Sequence, residues 1–171
     1  MSEARVLGIT GWSGSGKTVL LTRLIPLLVS RSLRVATLKH AHHSFDVDQP
    51  GKDSYEHRQA GASEVLVSSA RRWALMHENR HEEETGPEQL AAHMTPVDLL
   101  LIEGFKREPH EKLEVWRAAT GKPLLAAEDR SIVAVASDGP VPGVTVPVLD
   151  LDDIGAIAGF ILGHCGLTAK G

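Results

Sequence analysis

The sequence predicts an α/β fold: a mostly parallel twisted sheet with helices on both faces and an antiparallel flank. Three observations predict it. Strand-like and helix-like stretches alternate from the start of the chain. Residues 98–103, "DLLLIE", form a continuous apolar run of the kind found in the middle of a parallel sheet. Two further strand-like stretches, 64–69 and 72–78, stand too close together for a parallel crossover, so they must pair antiparallel.

The elements follow in order. Residues 5–10 are rich in β-branched residues and bounded by glycine, a buried strand. Leu20, Leu21, Leu24, Leu27 and Leu28 recur at helical spacing within 17–31. Pro26 lacks a backbone donor and is expected to bend that helix. "RVATLK", 34–39, is a second strand, followed by a loop broken at Pro50-Gly51. A short helix is expected next, with Asp53 as its cap, Glu56 completing a capping box, and Gly61 ending it. After the hairpin, 79–87 is polar loop and "PEQLAAHM" a short helix begun by proline. "KLEVWR", "IVAVAS" and "VPVLD" are further strands. "DDIGAIAGFILGHCG" is a C-terminal helix with an acidic start.

At 171 residues the chain is expected to form a single domain, 1–171, with a core that needs no disulfide. A net charge of −4 argues against a general affinity for nucleic acid or anionic membrane. The lone cysteine, Cys165, cannot close an internal disulfide. No stretch reads as a signal peptide or a membrane span, so a cytoplasmic protein is expected.

"GWSGSGKT", 11–18, matches G-x-x-x-x-G-K-[ST] and lies between a strand and a helix, as a phosphate loop must. Its backbone N–H groups would wrap a phosphate, and Gly11, Gly14 and Gly16 would permit the dihedrals this needs. The helix start would add a positive dipole end. Lys17 would reach the β- and γ-phosphates, and Thr18 would offer its hydroxyl to Mg²⁺. Trp12, Ser13, Ser15 and Val19 complete the candidate nucleotide-binding stretch, with Trp12 either shielding the site or packing on a neighbouring segment. The expected fold is therefore that of a phosphate-loop NTPase, a Rossmann-like three-layer domain.

In such sheets ligands sit at the carboxyl ends of the strands. Asp98 and Glu103 are five steps apart, about 16 Å in an extended strand, so they cannot serve one metal. Glu103, at the carboxyl end, is the candidate acid for Mg²⁺ or its water. Lys39 and His40 end the second strand, with His42 and His43 close behind; anion contact, proton shuttling and a transition-metal site are all open to this cluster. Asp46 and Asp48 follow, candidates for holding Mg²⁺ through water or for orienting an attacking water. Asp138 ends another strand and is a candidate to accept from guanine N1–H and N2–H, although the usual N-K-x-D motif is absent. Lys106 and Arg107 either add positive charge over the site or are surface residues.

Together, "GWSGSGKT", "LKHAHHSFDVDQPGKDS", "AGASEVLVSS", "RWALM" and "LLLIEGFK" resemble the molybdopterin-guanine dinucleotide biosynthesis adapter family, MobB, over about residues 5–165. The resemblance implies GTP and Mg²⁺ binding at Gly11, Gly14, Gly16, Lys17 and Thr18, with weak GTP hydrolysis. It implies an adapter that assists the guanylyltransferase joining GMP to molybdopterin, with molybdopterin itself a further candidate partner, and a cytoplasmic homodimer. The edge hairpin is a natural place for that pairing. Related NTPases often carry an extra lysine early in the loop; Trp12 and Ser13 stand there instead. Two other functions use the same residues: a small-molecule kinase, and a metal-handling GTPase built on His40, His42 and His43.

Overall fold

A computed structural model describes residues 4–41, 45–80 and 84–168. His42 and His43 lie outside the described residues. The chain divides into two compact units, one formed by 1–40 with 91–171 and the other by 41–90.

The first unit is built on a six-stranded sheet. In chain order it contains β1 (Arg5–Thr10), α1 (Lys17–Ser30), β2 (Val35–Lys39), β5 (Leu99–Glu103), β6 (Lys112–Trp116), β7 (Ile132–Ser137), β8 (Val148–Asp150) and α4 (Ile154–His164). The strand order is β2-β5-β1-β6-β7-β8, and every described pairing in it is parallel. All carboxyl ends therefore share one edge.

One face of this sheet carries Leu7, Ile9, Leu99, Leu101, Leu113, Val115, Ala134 and Ala136, alternating along their strands. Leu20, Leu21, Leu24 and Leu28 of α1 and Ile157, Ala158, Ile161 and Leu162 of α4 close on it, each set at helical spacing. α1 continues through Pro26 as one element. Asp153 caps α4, accepting from the Ala156 amide at 2.8 Å.

The opposite face is more polar. Lys112 is 1% exposed, and its ammonium donates to Ser131 Oγ and to Asp129 Oδ2 at 3.3 Å. Glu114 is fully buried; its two oxygens accept the Leu125 and Ala126 amides at 2.9 and 2.8 Å. Those bonds anchor a short 3-10 turn, Leu125–Ala127. Burial pushes the Glu114 carboxyl up, and the two amides oppose the shift.

The second unit contains α2 (Asp53–Gln59) and the antiparallel pair β3 (Glu64–Ser68) and β4 (Trp73–His77). The expected antiparallel flank is thus a separate two-stranded sheet. The α2 cap also differs from expectation. Lys52 takes that position in extended backbone, Asp53 is the first helical residue, and no side chain caps the turn. The acid near this start is turned to other work: Asp48 Oδ1 accepts from Ser54 Oγ at 2.9 Å and from the Gln49 amide. Asp53 still places negative charge in the first turn. Gly61 ends α2 as expected, at φ +113. Its amide donates to Arg58 O and the Ala62 amide to His57 O, the paired bonds of a Schellman motif. α3 (Pro87–Ala92) follows the hairpin. No helix of the described residues is long and apolar enough to cross a membrane.

Candidate phosphate-binding site

The loop after β1 takes the shape its glycines allow. Gly11, Gly14 and Gly16 have φ of +136, +81 and +100. Ser15 N donates to Trp12 O at 3.2 Å, closing a turn, and Gly16 in the left-handed region opens α1. Ser13, Gly14 and Val19 are exposed. Ser15 is 1% exposed, and its hydroxyl has no hydrogen-bond partner among the described residues.

Lys17 folds back over this loop, its ammonium donating to Gly11 O and Trp12 O at 2.9 Å each. Burial pushes its pKa down; repulsion from Lys106 and Lys39 adds to this and the Glu103 carboxylate opposes it. Thr18 donates to Glu103 Oε1 at 3.3 Å, and Lys39 Nζ lies 3.9 Å from the same oxygen. The register explains the meeting. Glu103 pairs with Lys39 on one side and Ile9 on the other, so β5 delivers its last carboxylate beside the start of the loop.

The turn after Glu103 is tight. Gly104 has φ +98, and a Cβ there would lie 2.8 Å from His40 Cβ. Phe105 is at φ +48, a region a bulky side chain seldom adopts. His40 packs on the Phe105 ring, centroids 4.6 Å apart, and its amide donates to Glu103 O at 2.9 Å. It braces the strand end that carries Glu103.

Trp12 leaves the loop sideways. Its Nε1 donates to Pro123 O at 2.7 Å, with Lys106 Nζ 4.4 Å and Lys122 Nζ 5.9 Å from the ring centroid. Trp12 thus packs on the segment that carries Pro123 and Lys122. Lys106, left open between site and surface, stands over this ring, and burial pushes its pKa down.

Asp138 is paired. Its Oδ2 accepts from Arg117 Nη1 at 2.5 Å, and Arg117 Nε donates to Ser15 O at 3.1 Å. Beside it, Ser137–Pro140 and Val148–Asp150 line a groove of about 290 Å³ at the ends of β7 and β8. That is near the lower bound for a small-molecule site. Sequence reasoning missed Arg117. The strand-end rule could have found it, because it directly follows β6, but only if β6 were known to neighbour β1.

Asp46 belongs to the other unit. Both its oxygens accept from Arg58 Nη2, at 2.8 and 2.9 Å, and it also accepts the Asp48 amide. These bonds hold its carboxyl below the usual range, the Asp48 amide first and Arg58 second. Arg58 also donates to Glu78 at 2.7 Å, joining loop, helix and the residue after β4 within that unit. Among the described residues no three acids, histidines or cysteines gather as a metal cluster.

Hard oxygen donors at Thr18 and Glu103 suit Mg²⁺, which takes few protein ligands and completes its shell with phosphate oxygens and water. The loop amides and Lys17 suit a phosphate chain.

The comparisons agree on one family. The family model "Molybdopterin guanine dinucleotide synthesis protein B" matches residues 6–138. The "Molybdopterin-guanine dinucleotide biosynthesis adapter protein" of Escherichia coli (strain K12) is 46% identical over 160 residues, covering 92% of this chain and 91% of that protein. The protein of the same description from Haemophilus influenzae is 43% identical, covering 94% and 89%. A crystal structure described as molybdopterin-guanine biosynthesis protein B superposes with a TM-score of 0.74 at 30% identity, covering 93% of this chain and 99% of the other. The Bacillus subtilis MobB structure, at 22% identity and a TM-score of 0.70, shares the fold. With a phosphate loop of this geometry and matches of this extent, the chain belongs to the molybdopterin guanine dinucleotide synthesis protein B family.

Proposed function

We propose that this chain is a GTP-binding adapter in the attachment of GMP to molybdopterin, with GTP hydrolysis slow and secondary. The observation that carries the reading is the meeting of Thr18, Glu103 and Lys39 beside Lys17 and the 11–18 loop. Lys17 exchanges the carbonyls of Gly11 and Trp12 for β- and γ-phosphate oxygens. Thr18 and Glu103 hold Mg²⁺ with the phosphates, and the bound ion supplies charge neutralisation for phosphoryl chemistry. The groove at the ends of β7 and β8 takes the guanine, with Asp138 accepting from its donors. Slow turnover is supported by the absence of a second lysine early in the loop, where Trp12 is tied to Pro123.

The partner is the guanylyltransferase, and molybdopterin a further ligand. The protein acts in the cytoplasm as a single domain and as a homodimer. Dimerisation through β3–β4 is supported by Leu66 and Trp73, both 60% exposed on an open-edged hairpin.

The test is capture of the purified guanylyltransferase on immobilised chain, with and without GTP and Mg²⁺. Nucleotide-dependent capture that disappears in Lys17→Ala is expected. Equal capture by both proteins under every condition removes the nucleotide from the adapter role.

A further inference from the structure

Arg117 stands against the backbone of the phosphate loop. Its Nε donates to Ser15 O at 3.1 Å. Its Nε and Nη2 lie 3.6 and 3.7 Å from the point where a Cβ on Gly16 would stand. Its Nη1 donates to Asp138 Oδ2. One planar guanidinium thus joins the loop to the wall of the β7–β8 groove. A lysine has no such fork.

The peptide geometry gives this contact a consequence. In a trans peptide the carbonyl oxygen of Ser15 and the N–H of Gly16 point in opposite directions. Holding Ser15 O against Arg117 on one side of the loop turns the Gly16 amide to the other side, away from Arg117. The Gly16 carbonyl is held by the Leu20 amide at 2.9 Å, while its φ of +100 and absent Cβ leave the preceding peptide little local restraint. On the Ser15 side the restraint is the bond from Arg117. Asp138, in turn, fixes Arg117 through a charge-assisted bond.

We propose that Arg117 is a positioning residue that aims the Gly16 amide at bound phosphate, and that Asp138 acts on the phosphate loop through it. This rests on the reading of the loop as a phosphate site. Asp138 then has two tasks. One oxygen orders the phosphate loop, and the carboxylate also borders the groove, so the two ends of a bound nucleotide are linked through one ion pair. Loss of either partner weakens phosphate binding even when no base is present.

The experiment is calorimetric titration with magnesium tripolyphosphate, which has no base, and with GTP. It uses the unsubstituted chain, Arg117→Lys, Asp138→Asn and the double variant. Each single variant is expected to bind tripolyphosphate about tenfold more weakly, the loss of one charged hydrogen bond. The double variant should be no weaker than the singles, because both act through one linkage. Thermal midpoints measured alongside should stay level, which a merely structural role would not give. Unchanged tripolyphosphate binding in Asp138→Asn, with only guanine preference altered, overturns the proposal and leaves the phosphate site intact. An unsubstituted chain that binds neither tripolyphosphate nor GTP refutes the phosphate-site reading itself, and the inference falls with it.

Discussion

Gly11→Ala is a perturbation whose size follows from the geometry. Gly11 sits at φ +136, where a side chain is strained. An added Cβ would stand 2.4 Å from Val115 O and 2.8 Å from Ser15 Oγ. The first of these is backbone, on a strand whose Val115 is fully buried in the core. It cannot swing aside as a flexible side chain would. The dihedral alone costs about 1–2 kcal/mol. Forcing atoms into a packed interior adds about 1–3 kcal/mol. Together they predict a loss of about 3 kcal/mol, or about 6–12 °C in midpoint for a chain of this size. Gly14→Ala is the matched control. Gly14 has φ +81, yet nothing lies within 4 Å of its would-be Cβ. It should lose about 1–2 kcal/mol by the dihedral term only. Thermal unfolding followed by circular dichroism compares the two. A Gly11→Ala protein that melts no lower than Gly14→Ala refutes the clash with β6.

Other outcomes follow from the same structure. Glu103→Gln keeps the shape and removes the charge beside Thr18, so GTP binding at low Mg²⁺ should weaken about tenfold and recover as Mg²⁺ is raised; a loss of the same size at every Mg²⁺ concentration would deny Glu103 its metal role. Burial, with Lys112 adding, pushes the His110 pKa below 6.5, and Glu108 and Asp129 oppose it. The unfolded chain therefore binds more protons just below pH 6.5, and stability falls as pH drops through that window. His110→Gln should flatten this slope in urea titrations between pH 5 and 7 relative to the parent; an identical slope would remove His110 as its source. Replacing Leu66 and Trp73 together by serine should convert a dimer to a monomer in light scattering, and a retained dimer would show that the pairing lies elsewhere.

Local pattern carried much of this fold. The period-2 and period-3.6 apolar sets marked the strands and helices that close on one another. Strand direction separated Glu103 from Asp98: the latter sits at the opposite end of β5, accepting the Arg34 amide at 2.8 Å. What the pattern could not give was lateral neighbourhood. Arg117 matters because β6 lies beside β1, and Trp12 finds its partner 111 residues away at Pro123. The α2 start differs from the pattern by one residue. Asp53 followed by Glu56 reads as a capping box, but Lys52 supplies the extended backbone there.

The most direct measurement is calorimetric titration of the chain with GTP, with Mg²⁺ and with excess chelator, beside Lys17→Ala. The account predicts saturable binding that needs Mg²⁺ and weakens about 10- to 100-fold in the variant, as for loss of a charged hydrogen bond to phosphate. GTP binding that is indifferent to both Mg²⁺ and Lys17, or no binding at all, would contradict it.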